Sequence, residues 1–221
     1  MTKPLFYQLL LSISVLCFQN SKAQSGDLLI QQYGKADVEN MGLRKWNYDL
    51  HILPNFFNTN NRTTKGKLGI SFGGTVRYNF KKSYGLRTGI DIHTLKYAYN
   101  SEEDQSEDQL IFLSIPLTGR LYPTNRVKIE LGFVYNFLLS AKGDHPTNTK
   151  EGAVAYPDGT FSDSFGMLSA VHYSVWKRFS VSLQYQFQKS ETSPFQRETN
   201  YFNGFLLGIH YTFLTAKTNS N

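Results

Sequence analysis

The chain has 221 residues, 40% hydrophobic and 15% aromatic, which suits one domain with a sizeable core. The net charge of +6 is spread along the chain without a Lys/Arg-rich run, which argues against nucleic acid as a partner. The one cysteine, Cys17, falls in an apolar leader, so disulfides, thiolate metal sites and cysteine nucleophiles are not expected in the mature protein.

The leader reads as a signal peptide. Lys3 is followed by an apolar run from Leu5 to Phe18 and by Ser21-Lys22-Ala23, so cleavage is expected before Gln24. Loss of Lys3 and Lys22 takes the net charge from +6 to +4. Leu16 precedes Cys17 where a lipoprotein needs a small residue. No later stretch approaches the ~20 apolar residues of a transmembrane helix. Residues 24–42 lack a period and are expected to form a periplasmic arm, with a short helix from Ala36 to Met41.

Alternation dominates from there. In Leu68 to Phe80, one parity carries Leu68, Ile70, Phe72, Val76, Tyr78 and Phe80, broken only by Gly74. The other carries Gly69, Ser71, Gly73, Thr75, Arg77 and Asn79. Val127 to Leu139, Phe179 to Phe187 and Tyr201 to Phe213 repeat the pattern. Lys45 to Phe57, Tyr84 to Tyr99, Gln109 to Tyr122 and Phe161 to Trp176 do so less regularly, and Pro116 predicts a bulge in the third of these. Short joins at 81–83, 123–125 and 177–178 alternate with long polar ones at 58–67, 100–108, 142–160 and 189–200. Asp158-Gly159 marks a turn in the third long loop. Outer-membrane barrels have short periplasmic turns and long external loops.

The large apolar face has to meet lipid, because Gly, Ser, Thr, Gln and Arg on the other face suit the narrow lumen of eight strands. The expected fold is therefore all-β: an eight-stranded, antiparallel, up-and-down transmembrane β-barrel over residues 43–214. A periplasmic tail is expected at 215–221. Both termini are expected in the periplasm and the barrel in a bacterial outer membrane, in contact with lipid and lipopolysaccharide.

Four segments also resemble the PorT-type outer-membrane β-barrel family of Bacteroidota. They are Leu68-Gly69-Ile70-Ser71-Phe72-Gly73-Gly74, Ile115-Pro116-Leu117 with Arg120-Leu121-Tyr122, Glu130 to Tyr135 running into Leu139-Ser140-Ala141-Lys142, and Gly208 to Phe213. The similarity spans most of residues 43–214 and is one of pattern. It implies an integral outer-membrane protein, and for some members a link to type IX secretion.

The expected polar lumen network contains Arg77, Arg87, Asp91, Arg120, Lys128, Glu130, His172 and His210, with His93 on the same face. Buried charges need partners, so this set reads as an ionic plug, which leaves no pore for solutes. His51, His93, His145, His172 and His210 are dispersed singly in the sequence, and no metal or other cofactor is expected. His172-Tyr173-Ser174 resembles the His-x-Ser pairing of lipid A deacylase barrels and carries the enzymatic alternative. The acidic cluster Glu102, Glu103, Asp104, Glu107 and Asp108 reads as a solvated loop, with divalent-cation binding as its alternative. The leading expectation is a non-enzymatic barrel with protein partners in the outer membrane or periplasm, an accessory or structural subunit of a machine such as type IX secretion. The main alternative is an OmpX-like surface barrel that binds external ligands through its loops.

Overall fold

The computed structural model describes residues 45–60, 64–81, 83–99, 106–144, 153–176, 178–192 and 198–216. The expected signal peptide, the arm with its short helix, His145 and acidic residues 102–104 lie outside them.

Eight long strands form the wall. They are β1 (Trp46–Thr59), β2 (Thr64–Asn79), β3 (Tyr84–Tyr99), β4 (Glu107–Leu121), β5 (Val127–Asp144), β7 (Phe161–Trp176), β8 (Phe179–Thr192) and β9 (Glu198–Ala216). Each pairs antiparallel with the next, and β1 pairs with β9 to close the ring. Closure leaves no free edge to present unpaired backbone groups. A two-residue strand, β6 (Val154–Ala155), adds to the loop-side end of β5. It was not expected from the sequence.

β2, β5, β8 and β9 run several residues past their expected loop-side ends, β1 and β4 only slightly, and β3 and β7 end there as expected. The apolar parity lapses around Lys65, Ser140, Lys142 and Lys189, yet the backbone ladder continues. Hydrogen bonds need no lipid-facing pattern once a strand has left hydrocarbon. At the other end, Thr215 and Ala216 pair with Asn47 and Trp46, so the last strand takes the first two residues assigned to the tail. The bulge expected at Pro116 is absent. Pro116 keeps its register with Val134, and the β4–β5 shift falls between Ile111 and Phe112. A proline removes one donor from the ladder without inserting a residue.

The outer wall is apolar. Leu68, Leu131, Leu207 and Ile209 are 62–70% exposed, which is untenable for so continuous a surface in water and suitable in lipid. An aromatic belt circles the short-turn end through Trp46–Tyr78, Tyr78–Phe80 and Phe179–Tyr211 contacts. A second lies toward the loops, where Phe133 stacks on Phe165 and Phe187 on Tyr201. Trp46 and Phe56, outward-facing on β1, are ten positions apart. At ~3.3 Å per residue and a tilt of ~40°, that is about 25 Å of height, the thickness of the apolar band. The barrel spans a membrane.

Leu207 stands mid-wall. Leu207→Arg is expected to lower unfolding stability in phospholipid vesicles by about 2–4 kcal/mol, as charges on the lipid face do near the midplane. A loss below about 0.5 kcal/mol in a denaturant titration would be inconsistent with lipid at that face.

Candidate functional site: the lumen

Strand pleating sends every second side chain inward, and in eight strands those side chains meet across the barrel. The half nearer the short turns holds the charges. Asp49 receives Arg77 in a two-pronged ion pair, with Nη2 2.5 Å from Oδ1 and Nε on Oδ2. Thr212 donates to the same carboxylate at 2.5 Å. Glu130 is the second anionic centre. Arg87 Nη1 lies 2.9 Å from its Oε2, Arg120 binds its Oε1, and His172 Nε2 is 3.2 Å away. Arg120 and Glu130 are direct partners in the β4–β5 ladder, whereas Arg87 reaches over from β3. All these charged residues are buried. Two guanidiniums on one carboxylate offset the desolvation that makes buried charge costly.

Two glycines make the network possible. His51, Gly73 and Asp91 lie side by side on β1, β2 and β3, and His51 Nε2 is 2.9 Å from Asp91 Oδ1. A Cβ on Gly73 would sit 2.2 Å from that oxygen, so the absent side chain lets its two neighbours meet. On β9, a Cβ on Gly208 would be 2.3 Å from Ser182 Oγ and 2.7 Å from His210 Nε2. Ser182 and His210 therefore approach to 2.7 Å.

Seven of the eight residues expected in the network join it. Lys128 faces the short-turn mouth, half-buried beside His172, and enters no ion pair among the described residues. Asp49 and His51 were missing from the expected set. Their signal was parity, since Asn47, Asp49, His51 and Asn55 alternate along β1 and all point inward. The histidines are not isolated in space. His210 sits between His51 and His172, its ring tilted to both, with ring centres 5.1 and 4.9 Å away. Barrel closure sets β1 beside β9 and so joins residues far apart in sequence. Among the described residues, no group of three His, Cys, Asp or Glu is arranged to hold a metal ion. His172 and Ser174 both point into the lumen and are buried, so neither is presented to lipid on the wall.

The loop-side half is different, and here the expectation of a wholly small and polar inner face is corrected. Leu53, Phe57, Leu95, Tyr97, Leu110, Phe112, Phe202 and Leu206 form a buried apolar plug on the β1, β3, β4 and β9 side. Large inward residues are tolerated there because the opposite side carries slimmer polar ones: Asn136 donates to Ser164 at 2.9 Å and to Gln188 at 2.8 Å. His93 sits at the junction, 2.7 Å from Ser71 Oγ and edge-on to Phe57. The mid-lumen cavity lined by Leu53, Asp91, His93, Pro116 and Gln184 has a volume of about 10 Å³, at the lower limit for one water.

Above the plug, Asp108 is buried rather than solvated. It accepts hydrogen bonds from Tyr99 at 2.9 Å and from Tyr156 at 2.6 Å. Burial and the nearby carboxylate push the Tyr156 phenol well above its ordinary value, so it stays a donor. Tyr156 belongs to the β6–β7 connection, which turns at Gly159 with a φ of 86°, as Asp158-Gly159 suggested. Glu107 stays exposed and pairs with Lys67 at 2.8 Å.

No protein-family model and no curated protein matches the chain. Solved barrels resemble it in outline. OprG from Pseudomonas aeruginosa, an outer membrane protein, is 16% identical with a TM-score of 0.48, covering 78% of this chain and 98% of that one. Ail of Yersinia pestis, the attachment invasion locus protein, solved with the heparin analogue sucrose octasulfate, is 11% identical with a TM-score of 0.47, covering 77% and 99%. Neisserial surface protein A is 13% identical with a TM-score of 0.47, covering 76% and 97%. At such scores the barrel assignment rests on the closed ladder of strand pairings, not on these likenesses.

Removing the Glu130 carboxylate strands two buried guanidiniums. Glu130→Ala is expected to cost about 3–5 kcal/mol of unfolding stability. Replacing the triad together (Arg87→Met, Arg120→Met, Glu130→Leu) is expected to recover most of that loss. Equal instability in both variants would show that the charges are not coupled.

Proposed function

We propose that the protein is an integral outer-membrane barrel that acts without catalysis, through its rims, loops and outer wall, as an accessory or structural subunit of a protein machine in that membrane. The plugged lumen carries this reading. Ion-paired side chains fill one half, an apolar cluster fills the other, and the mid-lumen cavity is about 10 Å³. Solute conduction through such an interior is disfavoured, which leaves the outer surfaces to act. The PorT-type pattern of the strands makes type IX secretion the first candidate. Short turns on one side and long connections on the other favour termini that face the periplasm.

A second reading, an OmpX-like barrel binding external ligands by its loops, draws support from the β6–β7 connection. It is tied to the barrel mouth by Tyr156 and Asp108 and so offers an ordered platform.

Affinity purification from native membranes is expected to recover a stoichiometric protein partner, with no conductance from the purified barrel in planar bilayers. Recovery of the barrel alone would count against the subunit reading. Ligand binding lost on replacing residues 153–160, with secretion intact, would favour the second. A C-terminal tag protected from protease in intact cells and cleaved after outer-membrane rupture is the expected result for the orientation.

A further inference from the structure

Among the described residues, the short-turn rim has charge of one sign. Residues 79–84, 121–127 and 175–180 contain no Asp or Glu, yet each turn supplies a described cation: Lys81, Arg126 and Arg178. The loop rim is mixed, with Lys65, Lys67 and Lys142 beside Glu107, Asp144 and Asp163.

Each of the three cations is set against a tyrosine of the wall. Lys81 Nζ lies 5.9 Å from the ring centre of Tyr84. Arg126 Nη1 is 3.5 Å from the Tyr173 hydroxyl, and Arg178 Nη1 is 3.4 Å from the Tyr211 hydroxyl. These tyrosines belong to the aromatic belt, the level at which headgroups meet hydrocarbon. A guanidinium has five N–H donors, and one contact to a phenol leaves most of them available. None of the three cations joins an ion pair among the described residues. The arrangement recurs at three separate turns, so it is a property of the rim and not of one side chain.

We propose that this rim binds the phosphate groups of anionic glycerophospholipids, with a Lys or Arg and its neighbouring tyrosine at each turn forming one headgroup subsite. Charge complementarity selects the occupant: a row of unneutralised cations at headgroup depth faces a leaflet whose anions are lipid phosphates. Arginine can take two phosphate oxygens at once, and the phenol keeps its side chain at the interface. The inference rests on the membrane placement and orientation proposed above, with phospholipid rather than lipopolysaccharide in the facing leaflet.

The test uses the full chain in vesicles of phosphatidylcholine with and without phosphatidylglycerol. Heat-dependent mobility on a gel reports the folded barrel, and native mass spectrometry after extraction counts retained lipids. The folded wild type is expected to retain phosphatidylglycerol preferentially. The preference should fall about fivefold for each cation lost in Lys81→Gln, Arg126→Gln and Arg178→Gln. Arg126→Lys with Arg178→Lys, and the loop-rim pair Lys65→Gln with Lys142→Gln, are expected to keep it. High salt should weaken it in the wild type, a measurement that needs no variant to fold. A folded wild type without the preference, a preference insensitive to salt, a folded triple variant that keeps it, or displacement by lipopolysaccharide would overturn the proposal. Failure of the wild type to insert would overturn the membrane reading instead.

Discussion

In hydrocarbon no water is available to satisfy backbone N–H and C=O groups, and an unpaired one costs several kcal/mol. The structure depends on the ladder that answers this constraint, above all the seam where β1 meets β9. That seam joins strands at opposite ends of the barrel sequence and leaves the sheet without an edge. With the backbone satisfied by closure, side chains on the outside are free to be wholly apolar, and those on the inside to be polar. The seam also tolerates a flaw. Pairing lapses at Leu53 and Pro54 without a change of register, because the flanking pairs Ile52–Ile209 and Asn55–Leu206 hold the alignment.

The lumen follows from the same closure. Eight strands leave a narrow interior, and whatever enters it is desolvated. Charges there survive only as linked sets, which is why Glu130 holds two arginines and Asp49 holds Arg77. The loop-side half is filled by Phe57, Phe112 and Phe202 and then capped by the Tyr99–Asp108–Tyr156 hydrogen bonds. Both halves oppose conduction by different physics, one by tightly paired charge and the other by volume. In the proposed reading, function therefore lies at the rims, the connections and the wall. The rims differ in kind: among the described residues the short-turn rim is basic over a tyrosine belt, and the loop rim carries both signs.

Much of this was legible in one dimension. Period-two alternation is a local property, so Leu68 to Phe80 announced a strand with two unlike faces, and the large apolar face named lipid as its surroundings. The alternation of short and long joins implied the up-and-down order. Arg77, Arg87, Arg120 and Glu130 could be placed in the lumen by parity alone. Asp49 and His51 obeyed the same parity but share their face of β1 with the apolar Leu53 and Phe57. The apolar plug was hidden for another reason. Leu95, Leu110 and Phe112 look outward by composition, but they share parity with Asp91, His93 and Ser114 and so point inward.

The sequence by itself determined the strands, their faces and the solvent of each face, because these depend on neighbours two residues apart. The tertiary structure decided which charges meet. His51 reaches Asp91 only because Gly73 lies between them, and His210 comes between His51 and His172 only because the ring closes. It also decided that Asp108, written within an acidic run, is buried under two tyrosines. Contacts across a closed barrel depend on register and closure, which no local period encodes.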